Sequence, residues 1–457
     1  MLSSLLSEYS SVLEGPWAEA DTVLTRWSSD WPRGHANARI VEEYLLGRAM
    51  GLLDVSGRPV VAGPASGAPA PVSPPTAVLG DPEGGLVLAA VLTGAPSVAV
   101  AGDSAAATAA CREAVEVLPA TLRDAVRFCD SPAEAVAALA EAPSRTVGEG
   151  GEAPGLRVII DSPKQFAVLR EYLRVVGRQA SEVVVVGREK HMSPRMNRLL
   201  GETHADVHVS PGRAKSRILV ASGLKKRAAD SSAGSAGRSP QVPAQATATS
   251  PAEAVPEIRV SAFAGTFGGA SVDPGARLLV RAVAHRYAGH AGEGMRVLDL
   301  GCGNGWLLAA LGALLPKANL HGVDDSQAAV DSTALTVASV RPGEDPAALA
   351  QLDGTTPLPW RTSSGGSRGT APRDFVAGSF DLVTLNPPFH EGATVTTETA
   401  HALIRNAAEL VAPGGRLVVV HNSHLRYRSH LQHRLIDVEQ WARDRRFTVL
   451  TGTAPAA

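Results

Sequence analysis

The sequence predicts an α/β fold built twice, as two tandem doubly wound domains in which a mostly parallel sheet is flanked by helices. Three observations carry that expectation. Short apolar, β-branched runs alternate with longer helical stretches along most of the chain, the pattern of βαβ units and a parallel sheet. Their order and spacing also repeat. Gly80 to Asp103 and Gly301 to Asp324 are both 23 residues, while Asp161 follows Gly80 by 81 residues and Asn386 follows Gly301 by 85. Finally, an Ala/Ser/Pro/Gly/Gln-rich stretch without periodicity, 228–256, separates the halves. It offers too little apolar surface to offset the entropy of ordering, so it reads as a disordered linker between domains at 1–227 and 257–457.

Taken in order, residues 1 to about 62 carry Trp17, Trp27 and Trp31, read as packing a small cap, and a helix over Ala38–Leu52. A Pro/Ala/Gly/Ser-rich loop follows over 63–75. The first βαβ series then runs through a strand at Thr76–Leu79, a turn at Gly80–Gly85, a helix beginning at Leu86, a strand at Ser97–Ala101 and a helix over Ala105–Val117. A strand at Leu156–Ile160, a helix over Lys164–Val176 and a strand at Glu182–Val186 complete it. Its glycine turn carries Asp81, Pro82 and Glu83 where small residues would let a ligand approach, and Asp161-Ser-Pro-Lys164 stands where the second half has Asn386-Pro-Pro-Phe389. The first copy therefore reads as one emptied of its chemistry. It ends in a basic stretch with Arg188, Lys190, Arg213, Lys215 and Arg217, either a solvated face or a surface for a polyanion.

Composition narrows the function classes. A formal net charge of −2 excludes a globally basic nucleic-acid binder but leaves room for a local basic patch. Three scattered cysteines are too few for a disulfide framework or a zinc knuckle, which fits a reducing, cytoplasmic setting. The first residues lack a basic region followed by an apolar one, so no signal peptide is expected. Apolar runs break before about 18 residues, so no membrane span is expected either.

The second half holds the chemistry. A strand at Arg296–Leu300 delivers Gly301-Cys-Gly-Asn-Gly305 into a helix over Trp306–Leu315. Glycines at alternate positions let the backbone bend sharply and lie close to a ligand beside a helix N-terminus. The spacing is G-x-G-x-G with Asp299 two residues ahead, unlike the dinucleotide fingerprint. A strand over Asn319–Asp324 ends in an acid that can accept both ribose hydroxyls of a nucleoside, with Asp325 adjacent. Asp353 follows the apolar Ala348–Leu352, a place that by itself suits a surface turn.

This arrangement resembles motif I of the class I methyltransferases that use S-adenosylmethionine. The resemblance implies that Gly301, Gly303 and Gly305 hold the amino-acid moiety of that cofactor, that Asp299 meets its ammonium, and that Asp353 meets the adenine amino group. Asn386-Pro387-Pro388-Phe389 then sets the reaction class. An exocyclic amino group is a poor nucleophile because its lone pair is delocalised into the ring. If the Asn386 side-chain oxygen and the Pro387 carbonyl accept its hydrogens, the lone pair turns toward the methyl group; the prolines pre-aim those acceptors, and Phe389 can stack on the flat target. Such motifs mark methyltransferases of planar amino or amide nitrogens.

The segment Asn386–Gly392, the pattern Phe267-(x)5-Asp273-x-Gly275-(x)2-Leu278-Leu279, and Pro413–Tyr427 are similar to the ribosomal RNA guanine-N2 methyltransferases. The likeness spans nearly the whole chain. It implies two class I methyltransferase domains with Rossmann-like seven-stranded sheets, the first degenerate and RNA-binding, the second catalytic, and it makes Phe267 a cofactor contact. Val186–Met192 and Gly212–Arg217 look closer to the large-subunit (23S) enzymes than to the small-subunit (16S) ones. The His/Arg-rich segment His421–Arg434, with Arg426 and Arg428, reads as phosphate contact or plain surface; it lacks the carboxylate or cysteine partners of a metal site. A stacked duplex base cannot reach such a pocket, so a flipped or single-stranded guanine is the expected substrate, taken by a monomer without a metal. Methylation of a protein glutamine or a DNA adenine, and a non-catalytic RNA-binding assembly factor, remain the rival readings.

Overall fold

The computed structural model describes residues 36–49, 53, 73–140, 155–212, 214–225, 243–249, 252–253, 255–343, 347–358, 374–388 and 395–456. Trp17, Trp27, Trp31, Arg213 and Phe389 lie outside them. The chain divides into two compact units, Met1–Ser239 and Pro240–Ala457.

Unit one opens with α1 (Ala36–Ala49), followed by β1 (Thr76–Leu79), α2 (Gly85–Leu92), β2 (Val98–Ala101), α3 (Ala105–Glu116) and α4 (Ala120–Arg123). It continues with β3 (Val126–Cys129), α5 (Pro132–Ala140), β4 (Leu156–Asp161), α6 (Phe166–Val176), β5 (Ala180–Arg188), α7 (Pro194–Leu200), β6 (His204–Val209) and β7 (Ser216–Leu224). Unit two contains β8 (Ala244–Ala248), β9 (Ile258–Ala262), α8 (Pro274–Arg286), β10 (Arg296–Leu300), α9 (Trp306–Leu314), β11 (Asn319–Asp324) and α10 (Gln327–Ala338). Then come β12 (Ala348–Gln351), β13 (Phe380–Leu385), α11 (Val395–Leu410), β14 (Val411–Asn422), α12 (Arg428–Gln432), β15 (Ile436–Arg443) and β16 (Phe447–Thr453).

Both units carry a seven-stranded sheet of the same topology, β3-β2-β1-β4-β5-β7-β6 in one and β12-β11-β10-β13-β14-β16-β15 in the other. Six strands of each sheet point the same way, and the one sixth in line, β7 or β16, runs antiparallel to both its neighbours. Identical order around an antiparallel insertion is a far narrower coincidence than matched spacing, and it makes the chain a tandem of two Rossmann-like domains. The strand order reverses between β10 and β13, which opens a crevice beyond their carboxyl ends.

Burial on both faces explains why the central strands read as continuous apolar runs. In unit two, Val297, Leu382, Val418 and Val420 pack with Leu279, Leu308 and Leu311 from α8 and α9. Leu298, Leu300, Val383, Leu385 and Val419 pack on the other face with Ala400, Ile404 and Ala407 of α11. Side-chain alternation therefore places Asp299, Thr384 and Asn386 together on the α8/α9 face. Trp306, 1% exposed, anchors that face at the start of α9.

The expected linker differs over its last part. Residues 226–242 are not described, but Ala244–Ala248 forms β8 and pairs antiparallel with β9 from Ala244↔Ala262 to Ala248↔Ile258. Composition missed it because the strand buries only Ala248; its order comes from the backbone ladder, which Ala, Gln and Thr supply as well as any residue. The first helix is described over Ala36–Ala49, beginning ahead of the expected Ala38, and residues 50–52 of the expected helix lie outside the described residues. No described helix is long and apolar enough to cross a membrane.

Candidate active site

The glycine turn forms where β10 ends. Gly301 and Cys302 donate their N–H groups to the Val323 carbonyl at 2.7 and 3.0 Å, which ties the turn to the end of β11. Gly301 and Gly303 take φ of +83° and +55°, and a Cβ on either would meet nothing within 4 Å. They border open space, as a ligand cradle requires. Gly305 has a different reason to be glycine: a Cβ there would lie 2.6 Å from the Thr333 Cα, so it lets α9 and α10 approach.

Neighbouring side chains lock the turn. Asp324 accepts the Gly303 N–H at 2.8 Å through Oδ2 and the Ser326 N–H at 3.0 Å through Oδ1. Asn304 Oδ1 accepts the Trp306 N–H, while its Nδ2 donates to the carbonyls of Gly269 and Ser271 at 2.9 and 2.8 Å. That amide clips the connection between β9 and α8 against the turn. Phe267 stands on this connection with 58% of its surface exposed.

Asp299 lies under the cradle, 1% exposed. Its Oδ1 accepts the Thr384 hydroxyl at 2.8 Å, and its Oδ2 is buried without a partner among the described residues. Burial pushes its pKa up to about 7; the Thr384 bond opposes that rise and the charge of Asp324 adds to it. A carboxylate left half-satisfied beneath an open glycine turn fits a cationic group, such as the ammonium of an amino acid.

Asn386 follows β13 at the level of Gly301, since Leu300 pairs with Leu385. Its Nδ2 donates to Asp273 Oδ1 at 3.1 Å, whereas its Oδ1 is buried and has no partner among the described residues. Pro387 is buried and Pro388 exposed. Asp353 accepts the N–H and hydroxyl of Thr355 through Oδ1, at 2.9 and 2.6 Å, so a base contact would fall to Oδ2. The structure thus brings Asp299, Gly301, Gly303, Asp324 and Asn386 around one crevice. Thr384, Asn304 and the anchoring role of Asp273 are not visible as motifs in the sequence, because a contact between distant segments leaves no mark at fixed spacing.

The corresponding place in unit one is filled from within. Asp81 is 6% exposed and accepts the Leu86 and Val87 N–H groups at 2.8 and 2.9 Å. A carboxylate of the chain itself thereby occupies the start of α2, where unit two leaves its turn open. Asp161, at the position of Asn386, is held by Asn37 Nδ2 at 2.8 Å, and burial raises its pKa to about 7.

Of the cations, Arg188, Lys190, Lys215 and Arg217 meet where β5 ends and β7 begins, since Arg188 pairs with Ser216 and Gly187 with Arg217. Arg217 is bonded to Glu189 at 3.3 Å, while Lys190 and Lys215 are exposed. Ala214 and Lys215 take φ of +50° and +65°, conformations that non-glycine residues seldom adopt without a reason. In unit two Arg426 is exposed and Arg428 donates to the Val438 carbonyl at 2.7 Å. His401 and His430 stack at 3.7 Å, and His421 is packed against Tyr427. Among the described residues no group of three or more His, Cys, Asp or Glu could hold a metal ion.

Comparison with known proteins agrees with this architecture. The family model "Methyltransferase small domain" matches residues 257–356 and 370–451. The "Ribosomal RNA large subunit methyltransferase G" of Pseudomonas paraeruginosa is 31% identical over 296 residues, 64% of this chain and 69% of that protein. Its namesake from Ectopseudomonas mendocina is 31% identical over 331 residues, 72% and 74% of the two chains. The "Ribosomal RNA small subunit methyltransferase C" of Chromohalobacter salexigens is 35% identical over 193 residues, 42% and 50%. A T. thermophilus 16S rRNA N2 G1207 methyltransferase, solved with AdoMet and guanosine, shares the fold at a TM-score of 0.62 and 19% identity, over 92% of this chain and 93% of that one. The chain belongs to the family of S-adenosylmethionine-dependent ribosomal RNA methyltransferases that includes the large-subunit methyltransferase G enzymes.

Proposed function

We propose that unit two transfers a methyl group from S-adenosylmethionine to the exocyclic N2 of a guanine in ribosomal RNA, 23S in preference to 16S. The observation that carries this reading is the Asn386 carboxamide, whose nitrogen is engaged by Asp273 while its buried oxygen, at the level of the glycine turn, has no partner among the described residues. An acceptor held in that state suits an amino group that has hydrogens to give up. Bound in the crevice, S-adenosylmethionine supplies an electrophilic methyl on a sulfonium. Gly301 and Gly303 leave room for its amino-acid end, Asp299 takes the ammonium, and Asp324 accepts from the ribose. Phe267 and Asp353 flank the cofactor. Asn386 Oδ1 and the Pro387 carbonyl draw the two N–H hydrogens of the base, which turns the nitrogen lone pair toward the methyl. Pro388 stiffens the loop and Phe389 stacks on the base. Rate then comes from in-line positioning and pre-aimed acceptors.

Unit one, its own turn filled by Asp81, serves to hold RNA through Arg188, Lys190, Arg213, Lys215 and Arg217, with Arg426 and Arg428 contributing from unit two. The names of the large-subunit relatives and the likeness of Val186–Met192 and Gly212–Arg217 favour 23S. The test is transfer of tritiated methyl to ribosomal RNA from cells lacking the gene, comparing the natural chain with Asn386→Ala. Label should enter RNA and fall by about 10²-fold or more in the variant, as for loss of a transition-state hydrogen-bonding group. Label entering only protein or DNA would sink the RNA reading; undiminished transfer by the variant would remove Asn386 from the chemistry.

A further inference from the structure

We propose that Asp273 is a positioning residue for methyl transfer: its carboxylate sets the polarity of the Asn386 carboxamide, so that the amide oxygen rather than the amide nitrogen meets the target amino group. The inference rests on the reading of Asn386 as acceptor given above and extends it to a residue 113 positions earlier in the chain.

Asp273 caps α8, accepting the Ala276 N–H at 3.0 Å through Oδ1, and the same oxygen receives Asn386 Nδ2 at 3.1 Å. An ionised carboxylate only accepts, so it selects the –NH2 side of the amide and turns the C=O side the other way. Without that selection the amide could rotate by half a turn and present two donors to a base nitrogen that itself carries hydrogens, a repulsive contact. Local sequence serves the arrangement. Gly275 lies in the first turn of α8, where a Cβ would come within 2.9 Å of Asp273 Oδ1 and 3.3 Å of both Val420 and Phe447. A glycine inside a helix is less favourable than alanine, yet here it keeps the space beside the anchoring oxygen clear.

Unit one supplies an independent observation. Asp161 ends β4 at the level of Gly80 as Asn386 follows the end of β13 at the level of Gly301, because Leu79 pairs with Ile160 as Leu300 pairs with Leu385. Its partner is Asn37, from the helix that precedes the first sheet strand, as α8 precedes β10. Asn37 Nδ2 donates to Asp161 Oδ1 at 2.8 Å, and Ser216 donates to Asn37 Oδ1 at 2.8 Å. The two copies thus carry the same carboxylate–carboxamide pair with the roles exchanged. Pairing is retained in the copy whose turn is filled, but only in unit two is the carboxamide the member that follows the strand. Its polarity is therefore a separate feature from the pairing.

The experiment compares Asp273→Ser, Asp273→Asn, Asn386→Asp and the reciprocal pair Asp273→Asn/Asn386→Asp in the full chain. It reads methyl transfer to ribosomal RNA from cells lacking the gene, and binding of S-adenosylhomocysteine. Serine still caps a helix but is too short to reach Asn386. Asp273→Ser should lose about 10- to 100-fold in kcat, the scale of a misaimed reacting group, with cofactor-product affinity unchanged. Asp273→Asn keeps an acceptor oxygen at the same reach and should stay within a few-fold of the natural chain. Asn386→Asp alone sets two carboxylates against each other, which cannot both ionise at that distance. Its turnover should fall as pH rises and the shared proton leaves, and the added Asp273→Asn should flatten that profile and recover activity. If Asp273→Ser keeps its kcat, or the single and reciprocal Asn386→Asp chains share one pH profile, Asp273 is a helix cap and no more. If Asn386→Ala is silent as well, the acceptor reading itself has failed, which separates the two outcomes. Should Asp273→Ser fail to fold, the comparison of Asn386→Asp with the reciprocal pair still decides.

Discussion

Cofactor binding should release a proton, and the amount follows from Asp299. Burial holds its pKa at about 7, and Oδ2 has no partner among the described residues. An ammonium on Oδ2 needs the ionised form, so binding must pull the pKa down and expel the proton wherever Asp299 was protonated. The apparent dissociation constant then scales as 1 + 10^(pKa − pH), a factor of about 2 at pH 7, about 11 at pH 6 and about 100 at pH 5. Affinity should therefore weaken about fivefold from pH 7 to 6 and approach tenfold per unit below that. At pH 7 about half a proton should leave per site. The ligand's own amino group titrates near 8, so the comparison belongs below about pH 7.2. Calorimetry of S-adenosylhomocysteine binding in buffers of different ionisation enthalpy measures both quantities. Asp299→Asn should bind more weakly and lose the pH dependence. A natural chain whose affinity is flat from pH 5.5 to 7, with no proton released, would refute the pairing of Asp299 with the ammonium. The same shift has a consequence for stability. A carboxyl whose folded pKa is raised contributes stability that is fully present below its unfolded pKa and is lost as pH rises through its folded one, so the chain should lose this group's contribution between about pH 4 and about pH 7.

Other outcomes follow from the same geometry. Gly303→Val should abolish cofactor binding, because its side chain would enter the open cradle and strain a left-handed backbone; isothermal titration would read the loss and circular dichroism the retained fold. Asp81→Ala should lower the stability of unit one by about 1–3 kcal/mol, since two buried N–H groups lose their acceptor, while methyl transfer by unit two persists; denaturant unfolding followed beside activity checks both. Replacing Arg188 and Lys190 together by alanine should weaken binding of ribosomal RNA and reduce the slope of log affinity against log salt by about 2. An unchanged slope would take those side chains off the phosphate backbone.

Much of this was legible in the chain because the central strands are buried on both faces. Val297–Leu300 and Phe380–Leu385 read as strands from apolar content alone, and the motifs at their carboxyl ends could then be assigned to one crevice by topology. The doubling was visible in the offsets from Gly80 and Gly301, and the matched strand order accounts for them. Edge elements were harder. β8 and β15 bury few side chains, so their order lies in hydrogen bonds between backbones that no composition reports. The roles of Asp273, Thr384 and Asn304 depend on partners 113, 85 and 35 residues distant, which spacing rules do not reach. Asp81 is the reverse case: the sequence showed that it spoils a glycine turn, and the structure shows the backbone N–H groups it fills.

The measurement that bears most directly on the account is nucleoside mass spectrometry of 23S and 16S RNA, digested separately after reaction of gene-deficient ribosomal RNA with the purified chain and S-adenosylmethionine. The account predicts one new N2-methylguanosine in the 23S digest, absent with Asn386→Ala. A methyl on adenine, on a ring nitrogen of guanine, or on no nucleoside of either RNA would contradict it.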